Sequence, residues 1–225
     1  MPSSVDLIIP YMPDEGLRDK NFHYLTSLWE EHHPSVGIHV GLVQGMWNKA
    51  KAIDNALKTS TAEIIIVADA DVWCEPRFIV RAAHHVARKR SWSMPHQKVY
   101  RMDKATSAQW TPEYRGKVRY DRQPYPGVPG GGLFVIRRED YNLCPMDPRF
   151  VGHSGQDIAW AHSAHTLVGP LYRLSGKLWH LYHEPQPTKR DPEYSKPNFR
   201  LMRQYALARG NTMRTRQLVN EGRVS

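Results

Sequence analysis

The chain has few cysteines and no long apolar run. Its two cysteines, Cys74 and Cys144, stand far apart and belong to no partner motif. This argues against a disulfide framework and cysteine chemistry, and it fits a reducing compartment. No apolar run approaches the roughly 18 to 20 residues that cross a bilayer, so we expect no membrane span.

We also expect no secretion signal. The apolar tract at residues 5–9 is short and carries an acidic residue, unlike the core of a signal peptide. We therefore expect the protein to stay in the cytoplasm where it is made, which is that of the host cell if the source is viral.

Acidic residues are in the minority. The chain has 31 Lys and Arg against 22 Asp and Glu, a formal net charge of +9. Such a charge attracts anions, for example nucleic acid or a phosphorylated small molecule. The basic segments lie at 86–90, 98–104, 113–122 and 200–216. They can equally be solvent-exposed faces without a partner, so both interpretations of the charge stay open.

The first 90 residues alternate short apolar runs with helical periodicities. The pattern predicts strands near 5–12, 36–43 and 63–69, and helices over 18–33, over 48–60 and from Pro76 to about residue 90. The third strand is continuously apolar, as in a parallel strand covered on both faces. The sequence therefore predicts an α/β fold with a mostly parallel central sheet flanked by helices.

The second half is less regular. Residues 91–131 contain five prolines and predict a loop-rich connection with about one strand. A strand and a helix start follow in 130–140, a helix in 155–167, and two short strands in 170–175 and 177–183. A Pro-rich linker and a helical tail complete the chain. We expect one domain over 1–185, in halves 1–90 and 91–185, and a linker with a basic helical tail over 186–225.

Two carboxylates end the third predicted strand. Asp69 and Asp71 follow the run "IIIVA" directly. In an open α/β sheet, ligands bind at the carboxyl ends of the strands. Two neighbouring carboxylates there repel each other unless a cation joins them, and Mg²⁺ or Mn²⁺ suits such oxygen ligands and often holds phosphates. The alternative is that Asp69 caps a turn and Asp71 faces water.

This segment resembles the Asp-x-Asp segment of GT-A glycosyltransferases, which use nucleotide sugars and have a Rossmann-like N-terminal half. Further segments resemble, in order, the first strand of family-two enzymes, their Asn/Lys-x-x-Ala helix, and three elements of the galactosyltransferase and polypeptide N-acetylgalactosaminyltransferase group. These segments are "LIIPYM", "WNKAKAIDNAL", "PGGGLFVIRREDY", "DPRFVGHSGQDIAW" and "LWHLYHEP". The resemblance covers residues 5–185 and leaves the tail unexplained.

The resemblance implies a metal-dependent enzyme that moves a sugar from a nucleotide-sugar donor, with a UDP-sugar favoured, to an acceptor hydroxyl. Asp69 and Asp71 would hold the Mn²⁺ or Mg²⁺ that bridges the donor phosphates. A third ligand would come from His180 or His183, with His183 favoured because "EP" follows it. Asp157 would be the general base of an inverting transfer.

The resemblance also implies donor and acceptor contacts. The donor-binding residues would be Pro10, Tyr11, Asn48, Lys49, Ala70, Gly131 and Gly132. The acceptor-binding residues would be Gln156, His153 and Trp110. The sequence departs from the family at Gln156, where the family has Glu, which leaves the base role to Asp157 and the bound sugar open. The glycines could also form a flexible turn, and Asn48 and Lys49 could be a helix-surface pair without function.

Two other classes compete with this interpretation. A metal-dependent hydrolase built from the 12 histidines lacks the spacing that such sites need. A non-catalytic nucleic-acid-binding module is suggested by the charge and by the aromatic and basic residues of 99–120, but it would not need the acidic and histidine motifs. Among acceptors, a modified DNA base such as a hydroxymethylated one, another polyanion, a protein and a glycan all stay open.

Overall fold

The predicted alternation of strands and helices is present in the first half. The computed structural model describes residues 4–184 and 192–224. The elements of the first half are β1 (Val5–Tyr11), α1 (Leu17–His32), β2 (Gly37–Leu42), α2 (Lys49–Leu57), β3 (Ile64–Ala68), β4 (Val72–Cys74) and α3 (Pro76–Arg88). Local chemistry sets two of the helix starts: Asn48 caps α2 by accepting a hydrogen bond from the Lys51 N–H, and Pro76 occupies the first position of α3.

The second half contains more strand than predicted. Its elements are β5 (Trp92–Met102), α4 (Lys104–Ser107), β6 (Tyr120–Pro126), β7 (Leu133–Arg137), α5 (Arg138–Leu143), α6 (Gln156–Leu167), β8 (Leu171–His180), α7 (Pro192–Ala208) and α8 (Thr212–Arg223). Residues 91–131 thus hold two strands, not the predicted loop with about one.

The prediction of two short strands over 170–183 is wrong, because one strand, β8, runs from Leu171 to His180. The reason lies where β8 passes β5: a Cβ on Gly176 would lie 2.3 Å from the Pro95 carbonyl oxygen. The β5–β8 register shifts between Met94 and His96, at this same point. Pro95 cannot donate a ladder hydrogen bond and Gly176 permits the close approach, so these two residues lie at an irregularity inside a continuous strand pair.

One mixed sheet unites these strands. Its order is β2-β1-β3-β7-β5-β8-β4, with β6 paired to β5. The β1–β2, β1–β3 and β5–β8 pairs are parallel, and the other four pairs are antiparallel. The predicted α/β fold is confirmed, but the sheet is mixed and not mostly parallel. An apolar run indicates that a strand is buried, and it does not indicate the direction of the neighbouring strand.

Strand β3 lies at the centre of two apolar layers. All five of its residues are buried. Ile64, Ile66 and Ala68 face the core that contains α1 and α3, whereas Ile65 and Val67 face the core that contains α2 and α6. Burial on both faces explains why its sequence is continuously apolar.

The C-terminal helices pack onto the sheet domain. Phe150 and Ala159 form a third core with residues of α7 and α8, namely Tyr205, Ala208, Leu218 and Val219. The predicted helical tail is therefore confirmed, and it covers one side of α6. Helix α7 begins within the predicted linker, and residues 185–191 of that linker lie outside the described residues. Among the described helices, none has the length and apolar character required to span a bilayer.

Candidate active site

Three predicted metal ligands meet at one edge of the sheet. Asp71 lies between β3 and β4, and the antiparallel β4–β8 pair sets Val72 opposite His180. One ligand atom each of Asp71, His180 and His183 lies within 4.8 Å of the others. His183 Nε2 is 3.1 Å from Asp71 Oδ2, and His180 Nε2 is 3.7 Å from Asp71 Oδ1. The structure brings both histidines to Asp71, so it does not favour His183 over His180.

The backbone fixes the tautomer of both rings. Nδ1 of His180 lies 2.8 Å from the Leu181 carbonyl oxygen, and Nδ1 of His183 lies 2.8 Å from the Glu184 carbonyl oxygen. A carbonyl only accepts, so each Nδ1 carries the proton and donates it. In the neutral ring the lone pair is then on Nε2, the atom that faces Asp71. Metal-binding histidines are typically held in this way.

Burial and neighbouring charges favour the protonation states in which these side chains can bind a metal. Burial lowers the pKa of His180 to about 4, against the opposing effect of Asp71. Burial alone would raise the pKa of Asp71, but His180, His183 and Arg18 lower it, and the carboxyl is ionised. One carboxylate and two imidazoles fit a divalent transition metal such as Mn²⁺ better than Mg²⁺, which prefers oxygen ligands.

Asp69 pairs with a lysine instead of joining this cluster. Lys49 Nζ lies 2.8 Å from Asp69 Oδ1 and 2.9 Å from Asp157 Oδ1. Lys49 is only 5% exposed, whereas the Asp69 side chain is 34% exposed. The structure therefore separates the two carboxylates of the Asp-x-Asp segment, with Asp71 among the histidines and Asp69 beside the predicted base.

Lys49 is charged despite its burial. Burial lowers its pKa, but Asp157 and Asp69 raise it by a larger amount. Burial raises the pKa of Asp157, and the ammonium of Lys49 counters part of this shift. Two carboxylates and one ammonium thus form a compact ionic group at the junction of β3, α2 and α6.

The glycine segment lies against Asp157. Gly130 and Gly132 have φ values of 80° and 75°, which glycine adopts without strain. A Cβ on Gly130 would lie 2.6 Å from the Asp157 carbonyl oxygen, and one on Gly132 would lie 2.4 Å from Leu178 Cδ2. The glycines therefore allow this backbone to approach both α6 and β8. The predicted contact of Gly131 and Gly132 with a donor stays a prediction.

Arg18 is a site residue that the sequence analysis did not identify. It is buried in the first turn of α1, and its Nη2 lies 3.7 Å from Asp71 Oδ2 and 3.4 Å from His183 Nε2. Its Nε has no hydrogen-bond partner among the described residues. Its position in the sequence could have identified it, because α1 begins just after the carboxyl end of β1, where ligands bind in such sheets.

Several predicted ligand-binding residues have structural contacts. The Tyr11 ring stacks on Phe22 and its hydroxyl donates a hydrogen bond to Asp19. The Asn48 side chain caps α2 and donates a 2.8 Å hydrogen bond to the Pro148 carbonyl. Trp110 is 4% exposed in the core. The Tyr11 and Trp110 rings therefore offer little surface to a ligand. Pro10 and Ala70 are also buried, at the ends of β1 and β3.

The two predicted acceptor residues next to Asp157 are partly exposed. Gln156 Oε1 accepts a 2.9 Å hydrogen bond from the Ser154 N–H, at the entry to α6. The His153 ring stacks on Trp47 with 5.9 Å between ring centroids. Both precede the predicted base Asp157 closely in sequence, and their contact with an acceptor stays a prediction.

The fold has known counterparts. No protein-family model and no curated protein matches the chain. Among solved structures, the chain is similar to GalNAc-T7 with UDP, GalNAc and Mn²⁺, at 15% identity and a TM-score of 0.55 over 96% of this chain and 48% of that chain. It thus spans about half the length of GalNAc-T7. This similarity establishes the fold, and with the sheet order above it shows that the chain has the GT-A fold.

Two further structures match less well. A Drosophila beta-1,4-galactosyltransferase 7 mutant with manganese, UDP-Gal and xylobiose has 12% identity and a TM-score of 0.46, over 80% of this chain and 71% of that chain. Glucosyl-3-phosphoglycerate synthase from Mycobacterium tuberculosis with Mg²⁺ and UDP has 14% identity and a TM-score of 0.46, over 92% of this chain and 79% of that chain.

Proposed function

We propose that the protein is a metal-dependent glycosyltransferase that moves a sugar from a nucleotide-sugar donor to an acceptor hydroxyl. The observation that carries this proposal is the cluster of Asp71, His180 and His183, in which both Nε2 atoms face the carboxylate at the carboxyl edge of a GT-A sheet. The GalNAc-T7 complex contains UDP and Mn²⁺, which supports a UDP-sugar as the donor. In this scheme residues 1–90 bind the nucleotide and 91–185 complete the metal and acceptor sites.

Asp71, His180 and His183 would hold the cation. When bound there, a divalent metal neutralises charge on the departing diphosphate, which is the electrostatic part of such catalysis. The backbone carbonyls that hold both Nδ1 protons orient the rings in advance, so metal binding requires no change of tautomer.

Asp157 would act as the general base. Its Oδ1 is held by Lys49, and its Oδ2 receives no hydrogen bond from the described residues. In an inverting transfer, the acceptor oxygen forms a bond to the anomeric carbon as the bond from that carbon to the diphosphate breaks. The hydroxyl proton passes to Asp157, and the nucleoside diphosphate leaves with the bonding electrons.

Donor hydrolysis tests the enzyme class without a known acceptor. A panel of nucleotide sugars is incubated with the protein and Mn²⁺, and the release of nucleoside diphosphate and the thermal midpoint are measured. We expect slow, EDTA-sensitive release from one preferred donor, and its loss in Asp71→Asn. Asp157→Asn should still bind the donor while transfer stops. A protein that neither binds nor cleaves any donor in the panel is not a glycosyltransferase.

We further propose a polyanionic acceptor, with DNA that carries a hydroxymethylated base as the concrete case. Lys177 Nζ lies 5.5 Å from the Tyr100 ring centroid and 5.4 Å from that of Trp179. Trp179 precedes the ligand His180 on β8, and Tyr100 is its partner on β5. A cation near two aromatic rings beside the metal cluster suits a phosphodiester chain with exposed bases.

The acceptor proposal has its own test. Sugar transfer from the preferred donor is compared for duplex DNA with and without hydroxymethylated bases, a glycan panel and a protein extract. Binding to duplex DNA should weaken steeply between low and high salt. Affinity that does not change with salt, or transfer to glycan or protein alone, would contradict it. DNA binding without any donor hydrolysis would instead favour a non-catalytic nucleic-acid-binding module.

A further inference from the structure

Lys49 is fixed at the point where three segments of the chain meet. It is the first residue of α2 and follows the cap residue Asn48, whose amide also donates a hydrogen bond to the Pro148 carbonyl. This bond anchors the start of α2 to the loop before α6. From there the Lys49 ammonium reaches Asp69 at 2.8 Å and Asp157 at 2.9 Å. Its side chain is 5% exposed, so water does not replace these partners.

We propose that Lys49 is a positioning residue for Asp157, holding Oδ1 of that carboxylate so that Oδ2 is left for the acceptor hydroxyl. This inference rests on the proposed function. The contact of Lys49 with the Asp157 side chain is made to Oδ1, at 2.9 Å from Nζ. On the other side, a Cβ at Gly131 would lie 3.6 Å from Oδ2, so the glycine leaves space next to the free oxygen.

The same arrangement argues against the role that the sequence predicted for Lys49. An ammonium has three N–H donors, and two are directed to carboxylates at short distances. Binding a donor phosphate would take the ammonium away from two anions that depend on it. Since burial and the Asp69 charge both raise the pKa of Asp157, the ammonium also favours the ionised form that a base requires.

The two roles predict different effects on binding and on turnover. The test compares Lys49→Met with Lys51→Met, which removes an exposed lysine from the same helix. The dissociation constant of UDP with Mn²⁺ is measured by calorimetry, and kcat is measured for Mn²⁺-dependent hydrolysis of the preferred UDP-sugar. For Lys49→Met we expect kcat to fall about 10- to 100-fold, within the range of general-base effects, and the UDP affinity to stay within about threefold. Lys51→Met should match the wild type.

Three results separate the possibilities. A loss of UDP affinity of about tenfold or more with unchanged kcat would identify Lys49 as a phosphate-binding residue and overturn the proposal, as would a folded Lys49→Met with wild-type kcat. If circular dichroism shows that Lys49→Met does not fold, Lys49→Gln carries the same expectation, because its amide still donates a hydrogen bond but lacks the charge. A wild-type protein without UDP binding or hydrolysis refutes the proposed function itself.

Discussion

The Tyr205 hydroxyl donates a 2.8 Å hydrogen bond to Oδ2 of Asp147 and so joins α7 to the loop before α6. Asp147 also accepts hydrogen bonds from Arg149, which in turn donates to the Leu218 carbonyl of α8. One buried carboxylate thus links both C-terminal helices to the sheet domain. The tail that the sequence left unexplained is part of the folded body.

This link predicts a stability effect. Tyr205→Phe should lower the free energy of unfolding by about 1–2 kcal/mol, because a buried carboxylate loses one of its donors while Arg149 still satisfies it. Urea unfolding followed by circular dichroism measures the change. Tyr125→Phe is the control, since the Tyr125 hydroxyl has no hydrogen-bond partner in the described parts of the chain. Equal stability of the two variants would contradict the prediction.

The separation of Asp69 from Asp71 predicts unequal effects on metal binding. Asp71→Asn should weaken Mn²⁺ binding by on the order of 100-fold, because it removes the only carboxylate of the described metal cluster. Asp69→Asn should change the Mn²⁺ affinity only a few-fold, because Asp69 pairs with Lys49. Electron paramagnetic resonance of free Mn²⁺ gives both affinities. Similar losses in the two variants would restore Asp69 as a ligand.

The position of Arg18 predicts that its replacement strengthens Mn²⁺ binding. Its guanidinium lies 3.7 Å from Asp71 Oδ2, and a fixed positive charge there opposes a second cation. Arg18→Met should therefore tighten Mn²⁺ binding about tenfold in the absence of nucleotide, which corresponds to about 1.4 kcal/mol. Lys20→Met, an exposed position on the same helix, is the control. Weaker Mn²⁺ binding by Arg18→Met would show that the arginine supports the ligands instead.

The burial of His96 predicts that the folded protein loses stability in acid. Burial, and secondly Arg173, lower its pKa from 6.5 to about 3, and neither ring nitrogen has a hydrogen-bond partner in the described residues. Between these two values only the unfolded chain takes up the proton. The contribution of His96 to stability is therefore complete above pH 6.5 and falls as the pH drops towards 3, by about 1.4 kcal/mol for each pH unit.

Unfolding in urea at pH 7.5, 6.0 and 5.0 measures this slope. His96→Met should reduce the change in unfolding free energy per pH unit by the part that His96 contributes. The remaining slope would include His33, whose pKa burial and His32 lower to about 4. An identical pH dependence in the wild type and in His96→Met would show that His96 is not buried in its neutral form.

The sequence predicted what depends on local patterns. Burial of β3 on both faces follows from its unbroken apolar run, and the place of Asp71 follows from the end of that run. The antiparallel neighbours of β3 and β8 could not be predicted, because no local residue records which distant strand pairs with it. For the same reason the contact of Lys49 with Asp157, 108 positions away, had no signal in the chain.

Arg18 and His183 meet across 165 positions of the chain. During synthesis, the segment with Arg18 and Asp71 leaves the ribosome long before the two histidines exist. A nascent chain that ends between Asp71 and His180 contains the carboxylate and the guanidinium but neither imidazole, so its metal cluster is incomplete. Metal-dependent chemistry would therefore begin only when translation has passed His183.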